Sequence, residues 1–175
     1  MEEFSRKHKH LINLIAFCLM MHVVSGLVSQ VVPSEGYQHF MWAVSAFFMI
    51  VGSSLLSSDL TRHGHDIPAA GFIILSIGQA MSYGFIATHD AGPEQLGAII
   101  AIFIPGVILI SLYDVVPWFI RIAGFLSAAT FAILAILIYR EIKNEVLLSV
   151  LTNGGYMLMN FVTLAWAWLL YKKKI

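Results

Sequence analysis

Charge is what this 175-residue sequence has least of: ten basic and ten acidic residues make up 11% of it, against 59% hydrophobic residues. Soluble domains carry about 25% charged and about 45–50% apolar residues. So little charge cannot keep a domain of this size dispersed in water, which excludes a soluble enzyme or regulator. The formal net charge is zero, so no basic surface is available for phosphodiesters and no nucleic-acid partner is expected. A single cysteine, Cys18, excludes an intramolecular disulfide and paired-cysteine redox chemistry. Familiar catalytic patterns are missing too. No span holds paired carboxylates or an HExxH motif, and there is no glycine-rich phosphate loop and no HxxxH histidine pattern. Ser53 and Ser54 have no base at a readable spacing.

What is present is apolar length. Six runs of about twenty residues, at 11–32, 39–58, 68–88, 95–113, 118–139 and 146–171, alternate with short polar joints, and the mean hydropathy is +0.83. About 20 apolar residues span a hydrocarbon core roughly 30 Å thick as a helix. The expected fold is therefore all-α, a single bundle of six transmembrane helices occupying 1–175. The joints leave no room for an extramembrane domain. Arg6, Lys7, Lys9, Arg62, Arg121 and Lys172 to Lys174 fall on one side, against Arg140 and Lys143 on the other, so the positive-inside rule places both termini in the cytoplasm. The first apolar run is too long for a signal peptide and lacks a cleavage site, which marks it as a retained anchor. The ending Lys172-Lys173-Lys174-Ile175 resembles a dilysine retrieval signal. A bacterial inner membrane is the expected location, or the endoplasmic reticulum in a eukaryote. Tyr37, Phe40 and Trp42, then Tyr113, Trp118 and Phe119, then Trp166, Trp168 and Tyr171 read as interfacial aromatic belts.

Proline and glycine punctuate the joints at 33–36, 64–68 and 90–93. Pro105-Gly106 instead falls inside the fourth run, where it predicts a bent or unwound helix, the kind of break that lines transporter sites. Gly78 with Ser82, Ala80 with Gly84, and Gly124 with Ala128 and Ala132 predict close helix packing. An inverted three-plus-three repeat is faint.

Polar residues inside the runs fall at helical spacing. Cys18, His22, Ser25 and Ser29 share one face of the first run; Ser76, Gln79 and Ser82 or Tyr83 one face of the third; Asn153, Tyr156, Asn160 and Thr163 one face of the sixth. Polar groups in hydrocarbon turn inward, so these stripes predict either a shared cavity or interhelical hydrogen bonding. Asp114 and Arg121 flank Pro117 and predict a rim ion pair, or a cation site if Asp114 faces inward. Arg62-His-Gly-His-Asp66 places His63, His65 and Asp66 together as ligands for a divalent metal, with His8 and His10 on the N-terminal tail as the nearest supplement; no other cofactor is expected.

The leading expectation is a small transporter or channel-like protein in contact with membrane lipids, forming a homo-oligomer or joining partner membrane chains. His22, Gln79, Tyr83, Asp114, Asn153 and Asn160 are its expected solute-binding residues. The alternatives are a non-catalytic subunit of a larger membrane complex, and an intramembrane enzyme acting on a lipid or quinone through the His63, His65, Asp66 rim.

Overall fold

The structure, a computed structural model, describes the backbone of residues 2–88 and 92–172 and the side chains of 8–84, 92 and 94–172. Arg6, Lys7, Lys173, Lys174 and the Asp90 turn have side chains outside that range. The chain forms α1 (Glu2–Val31), α2 (Glu35–Arg62), α3 (Asp66–Thr88), α4 (Pro93–Ser111), α5 (Trp118–Tyr139) and α6 (Glu145–Tyr171). All six are long and apolar enough to cross a membrane, and no strand occurs among the described residues. A helix satisfies its backbone polar groups internally, which an apolar run needs wherever water is scarce.

The helices outrun the apolar segments that predict them. α1 takes in the basic segment, so His8 stands on the helix, and α2 continues past Ser58 to include Asp59. Hydropathy marks where a helix meets hydrocarbon, not where its hydrogen bonding stops.

Two helix ends are closed in the same way. At the end of α2 the Gly64 N–H donates to the Thr61 carbonyl and the His65 N–H to the Leu60 carbonyl; at the end of α5 Glu141 donates to Ile138 and Ile142 to Leu137. Both pairs follow the Schellman pattern, which needs a left-handed residue after the cap. Gly64 meets that need without a Cβ, at φ 79°, whereas Glu141 adopts φ 53° with one. Left-handed backbone costs a non-glycine residue about 1–2 kcal/mol. Glu141→Gly should therefore raise stability by up to about 1 kcal/mol after glycine's own entropy cost, read as a higher midpoint in denaturant titration of the solubilised protein.

Each helix packs on its neighbours in the chain, and α6 returns to α1. The result is a closed up-and-down ring, and an even number of helices brings both termini to one end. α3 and α4 approach most closely where Gly71 meets Gly106. A Cβ on Gly71 would stand 2.9 Å from the Gly106 carbonyl oxygen and 3.0 Å from the Ile110 nitrogen. Gly78 faces Phe103 and Gly124 faces Ser111, so the small-residue faces of α3 and α5 both turn to α4, which lies between them. Ala80 and Gly84 are exposed.

The helix does not unwind at Pro105-Gly106, and α4 runs from Pro93 to Ser111. Pro105 points out of the bundle and Gly106 into it. The ring thus removes one backbone donor without entering a packed surface, and the Gly71 contact holds the backbone on the opposite side.

Candidate functional site

The polar face of α1 lies against α2. Cys18, His22, Ser25 and Ser29 are all buried, and His22 meets Ser45 of α2 through three contacts. The ring Nδ1 is 3.1 Å from the Ser45 carbonyl oxygen and 2.8 Å from Ser45 Oγ, while Ser45 Oγ donates to the His22 carbonyl at 2.9 Å. A carbonyl only accepts, so Nδ1 must carry the hydrogen. In the neutral imidazole Nε2 is then a bare lone pair. Asn160 of α6 stands beside it, yet Nε2 has no hydrogen-bond partner among the described residues.

α3 and α6 face each other across the ring. Phe72 meets Trp166 edge to face at 5.2 Å, and Ser82 bonds the Tyr156 hydroxyl. Ser82 Oγ also donates to the Gly78 carbonyl at 2.9 Å. Between these two contacts lie Gln79, about 10 Å along α3 from Phe72, and Asn160, about 9 Å along α6 from Trp166, at 1.5 Å per residue. Gln79, Asn160 and His22 therefore occupy one depth inside the ring.

Their pairing is incomplete. His22 Nε2, Ser76 Oγ, Gln79 Oε1, Asn160 Oδ1 and Trp166 Nε1 are buried without a partner among the described residues. Buried polar atoms are nearly always bonded, and each exception calls for a cause. A single orphan is a packing accident. Four such atoms, on α1, α3 and α6, are gathered about one level.

Aromatic layers bracket that level. Toward the termini, Trp166 stacks on Tyr113 at 5.7 Å and Phe72 closes on Trp166. The Tyr113 hydroxyl and His65 Nδ1 form a hydrogen bond of 2.9 Å. Toward the other end, Tyr156 is ringed by Phe103, Phe131 and Trp42 at 5.8, 5.3 and 6.4 Å. Beyond this second layer opens a cleft of about 820 Å³. Its lining residues Leu96, Leu134, Ile138 and Thr152 continue the helix faces of Phe103, Phe131 and Tyr156 at three-, four- and seven-residue steps.

Other expected site residues lie elsewhere. Tyr83 is 45% exposed, because one residue after Ser82 turns the helix by 100° and points the ring toward the outer surface of α2, where it lines an apolar groove with Phe47 and Phe48. Asn153 is exposed near the start of α6 and bonds Ser149 at 3.4 Å. Asp114 is at the rim, 92% exposed, with Arg121 Nη1 at 3.0 Å. Arg121 Nε also donates to the Ser111 carbonyl, capping the end of α4.

The loop trio is divided. His65 turns to Tyr113, His63 donates to the Asp59 carbonyl at 2.8 Å, and Asp66 is exposed at the start of α3. Among the described residues no three His, Cys, Asp or Glu side chains are grouped to hold a metal. A joint of three residues, 63–65, must reverse the chain between two helices, which sends neighbouring side chains different ways.

Three participants carry no signal in the sequence. Ser45 is one of many serines in α2. Asp59 is buried, with His8 at 3.6 Å and His63 at 3.9 Å. Trp166 reads as an interfacial residue but is fully buried. No family model, curated protein or solved structure matches this chain.

Proposed function

We propose that this chain is an integral membrane protein, with both termini in the cytoplasm, that passes a small polar solute along the axis of the six-helix ring. The carrying observation is the unpaired set at His22, Ser76, Gln79 and Asn160. Side chains that serve only as interhelical glue find each other, whereas these leave lone pairs for a guest. The route runs from the open cleft through the Phe103, Phe131, Tyr156 layer to the unpaired level, then past Trp166, Tyr113 and Phe72 to the joint holding His65. Passage along this route requires ring side chains of the two aromatic layers to rotate aside.

The exposed apolar groove beside Tyr83 favours a second reading, a subunit docked against another membrane chain. Flux of small polar solutes into proteoliposomes separates the two. The transport reading expects uptake at least about tenfold above protein-free vesicles, falling by a similar factor in Asn160→Ala. Uptake no faster than the lipid leak, from protein shown to be folded and inserted, sinks it.

A further inference from the structure

The unpaired atoms inside the ring differ in kind, and the imbalance selects a ligand. His22 Nε2 is a lone pair by the tautomer its Nδ1 contacts dictate, and Gln79 Oε1 and Asn160 Oδ1 are carbonyl acceptors. Ser76 can give or take a hydrogen. Trp166 Nε1 is the one obligate donor, and it lies in the aromatic layer about 9 Å from Asn160. The level shared by His22, Gln79 and Asn160 therefore presents three acceptors.

Three acceptors ask for three hydrogens. An anion brings none, a water brings two and an alcohol one, each with lone pairs of its own. A primary ammonium group brings three N–H donors and no acceptor. No Lys, Arg, Asp or Glu is buried at that level among the described residues; the buried aspartate, Asp59, is at the terminus end. A cation is accommodated there by oxygen dipoles, as in carbonyl-lined filters, and by the faces of Tyr156 and its ring neighbours. Independently, the entry cleft carries Glu94, Glu141 and Glu145 against Lys143 alone, a mouth that concentrates cations and repels anions.

We infer that the ring binds a small primary ammonium, one N–H each to His22 Nε2, Gln79 Oε1 and Asn160 Oδ1, admitted through the acidic cleft at the end away from the termini. This rests on the solute-path reading above and adds its chemical class.

The test uses methylammonium at about pH 6.5, far below the alkylamine pKa, so that the neutral amine leaking through lipid is negligible. Binding to the solubilised full chain is measured by equilibrium dialysis, and uptake by radiolabel in proteoliposomes, with glycerol and acetate as comparison solutes. The expected result is saturable binding and uptake of methylammonium, both reduced at least about tenfold in Gln79→Leu, with acetate excluded. Glycerol or acetate uptake without methylammonium binding overturns the ammonium assignment and leaves the path standing. Methylammonium binding without uptake of any probe supports the assignment and overturns the path. Neither binding nor uptake overturns both. Because Gln79→Leu removes an unpaired acceptor, it is expected to stay folded; Gln79→Glu serves as a second variant, which should tighten methylammonium binding by adding charge at the same atom.

Discussion

Gly71→Leu is expected to destabilise the bundle by about 3 kcal/mol or more, read as a lower midpoint in denaturant titration of the solubilised protein. Inserting side chain into a well-packed core costs about 1–3 kcal/mol when neighbours can yield. Here two of the three nearest atoms are backbone, the Gly106 carbonyl oxygen at 2.9 Å and the Ile110 nitrogen at 3.0 Å. Backbone cannot swing aside like a side chain, so α3 and α4 must separate. Because α3 and α4 are neighbours in the ring, that separation opens it. Pro105 adds to the effect, since one backbone donor is already missing one residue away and the Gly71 contact is what braces α4 there. A change of less than about 1 kcal/mol would mean that the two helices do not approach at these glycines.

The second large effect runs the other way. Gln79→Leu and Asn160→Leu are each expected to stabilise the folded protein, by about 1–3 kcal/mol, while abolishing solute passage. Leaving a buried acceptor unpaired costs about that much, and an apolar side chain of similar shape removes the cost. Loss of stability in both variants would show that the amides bond within the protein and that the unpaired level is glue, not a site. The pairing of higher stability with lost passage is the mark of a functional position held at the expense of the fold. His22 is a poor choice for this experiment, since its contacts to Ser45 would be lost along with Nε2.

The unpaired level was legible in the sequence because it obeys helical period. His22, Gln79 and Asn160 belong to stripes spaced three, four and seven residues apart, and one stripe faces one way whatever the neighbouring helices do. Tyr83, Asn153 and Asp114 share polarity with that set but not its position. Tyr83 is rotated off the stripe, Asn153 lies on it but too near the end of α6, and Asp114 follows the end of α4, where an arginine reaches it first. His63, His65 and Asp66 are not grouped for a related reason, since closeness in a loop does not carry convergence of side chains.

Apolar run length and the spacing of charges and prolines determined the number of helices, their order and their approximate ends, because a helix with its own hydrogen bonds needs nothing beyond its own residues. Closure of the ring by α6 on α1, the outward turn of Pro105, the tautomer of His22 and the burial of Trp166 were decided only by tertiary structure. Each depends on which surface of one helix meets which surface of another, and that choice is made by contacts between residues far apart in the chain.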